Sequence, residues 1–171
     1  MNADAFRHFY DYHFAENHKI WGYVTQLTPE QFTRPVEYSH GSVRDQVVHL
    51  MECEDTWFSE LGGVEPSEEL PPAKADDREI IRAHWDRVEQ KMRAYLAELQ
   101  DDMLAATPIT EPEEDKDLIV WQVLLHVANH ATDHRAQVLR VLNDLGVQTS
   151  YQDYIFFVYE HPAHGEPHEE I

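Results

Sequence analysis

Basic residues are scarce. Lys and Arg number 13 against 33 Asp and Glu, for a formal net charge of −20. A nucleic-acid binder carries a basic patch or stripe, and a surface that docks on anionic lipid does too. Neither is visible, so the expectation is no nucleic acid and no membrane, with the acidity read as a soluble surface. There is a single cysteine, Cys53. A disulfide framework within the chain is excluded, which suits a reducing compartment. The first residues, Met1 to Phe6, hold no basic stretch leading into an apolar run. No secretory signal is expected, and a cytoplasmic location is. No apolar stretch reaches the length of a membrane span. Glycine is rare, at 6 residues, and no Gly-rich phosphate loop or Gly-x-Ser-x-Gly elbow occurs. That argues against a P-loop nucleotidase and an α/β-hydrolase.

What the chain does have is length, apolar periodicity and histidine. With 171 residues, 42% of them hydrophobic, it can bury a full core as one domain. Apolar residues recur at three- and four-residue steps in four long segments, the mark of helices with one buried face. The first is predicted from about Ala3 to Leu27, carried by Phe6, Tyr10, Phe14, Ile20 and Val24. Thr28-Pro29 then marks a fresh start, with a short helical turn to Phe32. After a loop over about 34–41, Ser42 is the predicted N-cap of a second helix, Val43 to about Leu61, stopped by Gly62-Gly63. A Pro-rich acidic linker, 65–75, leads to a third helix from Asp76 or Asp77 to about Ala105. A second acidic loop, 107–117, leads to a fourth from about Leu118 to Leu145, with Gly146 closing it. Residues 151–159 are aromatic and are expected to pack back as a short helix or extended segment. Residues 161–171, which contain His161, His164 and His168, are expected to be a loose tail. No strand pattern appears, so the fold class is all-α: a four-helix bundle with a short C-terminal segment packed on it, one domain over residues 1–160. The connections are long enough to allow crossovers, so chain order leaves the topology open.

Twelve histidines pose the functional question. His126, His130 and His134 lie four residues apart. Each step of four turns an α-helix about 400° and climbs ~6 Å, so neighbours share a face. Two imidazoles so placed converge on one metal ion, as in His-x-x-x-His zinc sites. The outer two are about 12 Å apart along the axis, so the spacing leaves either His126 or His134 outside. A further ligand must come from another helix, and His49, alone in apolar Val47-Val48-His49-Leu50-Met51, is the candidate. Three imidazoles suit Zn, Ni, Cu or Fe(II) better than Mg or Ca. They also leave positions open, as catalytic zinc sites do.

These residues resemble a known family. Tyr12-His13-Phe14-Ala15-Glu16-Asn17 is similar to an aromatic-Ala-Asn segment, followed by Gly41-Ser42-Val43-Arg44-Asp45, Val48-His49-Leu50 and Trp57. The stretch from His126 to Gln137, His-Val-Ala-Asn-His-Ala-Thr-Asp-His-Arg-Ala-Gln, is similar to a His-x-x-Asn-His-x-x-x-His-Arg-Gly-Gln pattern, with Ala136 where Gly is usual. Together they resemble the DinB/YfiT-like family of metal-binding four-helix bundles. The resemblance implies ligands His49, His130 and His134, with His126 beside them as a supporting or core residue. It implies a divalent ion, zinc or nickel first and iron after them, and helices one and four paired across a bundle or homodimer interface. It also implies a small-molecule substrate. Relatives include thiol-dependent transferases using low-molecular-weight thiols such as bacillithiol or mycothiol, and metal-dependent hydrolases. A non-catalytic metal-binding stress-response protein is the alternative.

Around this set, Asn17, Asn129 and Gln137 are candidates to hydrogen-bond the ligand imidazoles, or to serve helix ends or water. Cys53, one turn after His49, is read as a small buried residue in preference to a fourth ligand. Glu52 and Glu54 are read as surface acids, Asp133 as pointing away, and Arg135 as one half of a surface ion pair. His8, His13, His18, His40 and His84 share no spacing with the set and are expected to be ordinary.

Overall fold

The computed structural model describes residues 1–68, 70 and 76–162. Its first helix, α1 (Ala3–Val24), starts where the Asn2 side chain accepts from the Ala5 N–H at 2.9 Å. It ends three residues before the expected Leu27, because Thr25 turns its hydroxyl back to the Gly22 carbonyl at 2.8 Å and Thr28 opens a new helix. That helix, α2 (Pro29–Phe32), carries a reciprocal Thr28–Gln31 cap. α3 (Val43–Gly62) has the same device in Ser42 and Asp45 and stops at Gly63 with φ 62°. Such a cap contributes about 1 kcal/mol.

α4 (Arg78–Glu98) is shorter than predicted. The apolar period continues to Ala105, but the helix breaks at Leu99, which is extended with ψ 127°. Arg7, from α1, donates through Nη1 to the Leu96 and Leu99 carbonyls at 2.9 and 3.0 Å. A distant guanidinium thus serves helix-end carbonyls that a longer helix would have paired internally. A 3-10 turn, Asp101–Ala105, follows. α5 (Val120–Asp144) closes on Gly146 at φ 85°, with Val147 N–H reaching the Leu142 carbonyl at 3.0 Å. α6 (Tyr154–Glu160) is the C-terminal segment. Its Tyr154 stands edge-on to Phe9 and Tyr12 of α1, each at 5.1 Å.

The four long helices form a bundle in which α1 packs on α5, α5 on α3, α3 on α4 and α4 on α1. α1 and α3 therefore stand across one diagonal, and α4 and α5 across the other. Two of the three connections cross the end of the bundle, the topology that chain order had left open. The expected pairing of helices one and four is α1 on α5, within the bundle. Phe6, Tyr10, Phe14, Leu50, Met51, Phe58, Trp85, Val88, Leu124 and Val138 fill its core. Among the described residues no helix is long and apolar enough to cross a membrane. Part of the acidic linker (residue 69 and residues 71–75) and the tail from residue 163, with His164 and His168, lie outside the described residues.

Candidate metal centre

α3 and α5 pack against each other, and that contact brings His49 to His130 and His134. The ring centres of His49 and His134 are 4.7 Å apart, those of His49 and His130 5.3 Å, and those of His130 and His134 4.3 Å. The i, i+4 spacing on α5 does what it predicts: both rings leave the same face. The spacing also left His126 in play. It is exposed, its ring edge-on to Trp57 at 5.1 Å and 5.8 Å from His130. It stands at the rim, beyond the imidazoles that cluster with His49.

His40 joins the cluster, against expectation. It sits on the loop before α3, with its ring stacked on His49 at 3.6 Å and 15°, and 5.1 Å from His134. Two sets of ligating atoms come within 4.8 Å of one another: His40, His49 and His134, and His49, Cys53 and His130. The trio expected from the sequence is divided between these sets, with His49 common to both. Donor nitrogens on one tetrahedral zinc-like ion are about 3.4 Å apart, and each of these sets lies within 4.8 Å.

Two observations fit these residues to a metal ion. Nδ1 of His134 is buried with no hydrogen-bond partner among the described residues. A buried polar atom left so is costly, and a bound ion would satisfy the imidazole. The donors are also held ready. Burial, then the neighbouring imidazoles, push the pKa of His49 and that of His130 down to about 4. His134 is lowered by burial and by His40. All three are neutral near pH 7, the form with a free lone pair. Cys53 lies 3.6 Å from His49 Nε2, and burial together with Glu54 and Glu52 pushes its thiol up to about 11. A cavity of about 500 Å³ opens beside His40 and His49, lined also by Arg44, Asp45, Val48, Glu52 and Leu70.

The expected supporting residues divide. Gln137 accepts from the Ser39 hydroxyl and donates to Asp133 at 2.9 Å, so it holds the loop that carries His40. Asn129 is exposed. Asn17 is buried but serves a different cluster. Its Nδ2 donates to Glu54 Oε1 at 2.8 Å, and its Oδ1 accepts from Arg135 Nη1 at 2.9 Å. His13 completes that cluster, with Nε2 at 2.9 Å from Glu54 Oε1 and Nδ1 at 3.4 Å from Arg135 Nη1. The other Glu54 oxygen accepts from Trp85 Nε1 at 2.8 Å.

Glu54 and Arg135 are thus core residues, 1% and 0% exposed, and the surface roles expected for them are wrong. Both lie on apolar stripes: Glu54 follows Leu50 and precedes Phe58 by four, and Arg135 follows Ala131 by four. Burial raises the Glu54 pKa, but its close contact and hydrogen bond with His13, with the bonds from Trp85 and Asn17, outweigh it and hold Glu54 ionised. Burial keeps His13 neutral against the pull of Glu54. One buried anion and one buried cation are then joined through Asn17 and His13.

The family model of the DinB family matches residues 1–169. No curated protein matches the chain.

Proposed function

The chain belongs to the DinB family, and from that premise we propose that it is a divalent-metal protein in which His49, His130 and His134 hold the ion, and that it acts on a small molecule as a metal-dependent enzyme. The observation that carries the reading is the buried Nδ1 of His134, without a partner among the described residues, inside a cluster of neutral imidazoles from two packed helices. Soft-to-borderline nitrogen donors favour zinc or nickel, with iron next. Such an ion supplies Lewis-acid activation of a water or a thiol. A thiol S-transferase, with a low-molecular-weight thiol as co-substrate, or a hydrolase would use that chemistry.

The chain's own residues prepare the rest. α3 and α5 fix the imidazoles from opposite sides. The wall of the cavity over His40 and His49 holds the polar Arg44, Asp45 and Glu52 and the apolar Val48 and Leu70. Arg44 is held in that wall by Asp45 at 2.7 Å and by Asp76. Metal analysis of untagged protein tests the binding. The expected content approaches one ion per chain after reconstitution, and fewer than about one ion per ten chains sinks the reading. Turnover of thiol plus electrophile, or of an ester or amide, by the loaded protein then separates transferase from hydrolase.

One observation favours a second reading, a non-catalytic metal-binding protein. His40 stacked on His49 brings a further imidazole beside the three, and a fourth ligand would leave no position on the ion for a substrate. Tight, saturable metal binding without turnover of either substrate class would select it.

A further inference from the structure

We propose that His40 is a fourth ligand to the same ion, delivered by the loop that precedes α3, and that it fills the position left open by His49, His130 and His134. The proposal rests on the metal part of the reading above, and of its two forms it favours the non-catalytic one, because a closed shell leaves no position for a substrate. It starts from geometry that the three-histidine reading does not require. The His40 ring lies flat on His49 at 3.6 Å. A ligating atom of His40 is within 4.8 Å of one from His49 and one from His134.

The loop is built to put it there. Ser39 adopts φ 53°, a left-handed conformation that a non-glycine residue rarely takes. Its hydroxyl donates to Gln137, on α5 one turn beyond His134. On the other side of His40, Gly41 has φ 96°, and its N–H closes a turn on the Tyr38 carbonyl at 3.1 Å. The Gly41 carbonyl accepts from Gln46 Nε2 at 3.0 Å. The next residue, Ser42, is the N-cap of α3. His40 is therefore latched to α5 through Ser39 and to α3 through Gly41 and Ser42, the two helices that carry the other three histidines. An exposed side chain held so closely over a histidine cluster is explained by a shared ligand. Cys53 is the rival fourth donor, on the side of His130. Four imidazoles complete a tetrahedral shell, in contrast to the open site that three would leave.

Cobalt(II)-substituted full-length protein tests this by its visible absorption and by chelator competition. The wild-type protein is expected to give the intense bands of four-coordinate cobalt with no sulfur-to-cobalt charge transfer. His40→Ala should give the weaker bands of a more highly hydrated ion, and added imidazole should restore the original spectrum. Its cobalt affinity should fall at least as far as the about 10-fold to 100-fold that loss of an outer hydrogen-bond partner costs a metal site. His40→Gln should behave as His40→Ala, and the far-ultraviolet circular dichroism of both should match the wild type. A His40→Ala spectrum and affinity equal to wild type overturns the proposal and leaves the three-histidine reading standing. A charge-transfer band that Cys53→Ser removes also overturns it, in favour of sulfur. Failure of the wild-type chain to take up cobalt, zinc or nickel overturns both readings.

Discussion

Two polar clusters share α3 and α5, and they are opposites. In the one formed by His13, Asn17, Glu54, Trp85 and Arg135, each charged group faces partners at hydrogen-bond distance and the two formal charges balance. In the one formed by His40, His49, His130 and His134, groups that could all carry positive charge crowd together, and a buried nitrogen has no partner among the described residues. The first is complete as the polypeptide stands, so its work is to fix how α1, α3, α4 and α5 meet. The second is incomplete, and incompleteness of this kind marks a place for a ligand. Residues 134 and 135 show how local the divide is. Neighbours on α5, they point one into each cluster.

The sharpest way to break this contrast is in the complete cluster. Arg135→Met leaves the Glu54 charge without its cation, and unfolding in urea should show a loss of about 3–5 kcal/mol. A loss under about 1 kcal/mol would mean that the cluster is not the balanced network described. The incomplete cluster should respond in the reverse way. His134→Ala should change the stability of the metal-free protein by less than about 1 kcal/mol, because its Nδ1 has no partner among the described residues to lose. Metal at a hundredfold excess over its Kd should stabilise the wild type by about 2.7 kcal/mol, read as a raised thermal midpoint, and should not stabilise His134→Ala.

Acid should act on both clusters at once. His13, His49, His84, His130 and His134 all have pKa values lowered in the folded chain, chiefly by burial. Unfolded, each titrates near its ordinary value of about 6.5. Below that value the unfolded chain binds protons that the folded chain refuses, so stability is full above it and falls as pH drops. Glu54, held below the ordinary carboxylate range, keeps its contribution until the pH falls through about 4.3 and beyond. Thermal midpoints measured without metal should be nearly level near pH 7.5 and fall from about pH 6.5 to 5, and His13→Gln should flatten part of that slope. A flat profile in the wild type would contradict the neutral state assigned to these histidines. The smallest effect should come from the rim. His126→Ala should shift metal affinity by no more than about 0.5 kcal/mol, roughly twofold, as isothermal titration would read it.

The helices and the histidines on them were legible in the sequence because period is a direct imprint of burial. Phe6, Tyr10, Phe14 and Val24 mark one face without help from any other part of the chain. So do His130 and His134, whose shared direction follows from four residues of helix. What stayed hidden depends on groups remote in sequence. The end of α4 at Glu98 needs Arg7. Glu54 and Arg135 sit on apolar stripes, a signal that they are buried, yet a lone charge there reads as surface until Asn17 and His13 are seen beside it. His40 lies on a loop, where no period applies. The one trace it left was position, two residues ahead of the cap of the helix that carries His49.

Gly41 bears on how mutations across this chain would be tolerated. Its φ of 96° is one that side-chain-bearing residues seldom adopt, and a Cβ there would come within 3.1 Å of the Asp45 carboxylate that caps α3. Any replacement strains both the turn after His40 and the first turn of α3. In a survey of single substitutions, position 41 should therefore look as intolerant as the histidines themselves, although it offers no donor atom to an ion and no group to a substrate. A map of sensitivity would draw the site larger than its chemistry, extending it to a residue whose contribution is the absence of a side chain.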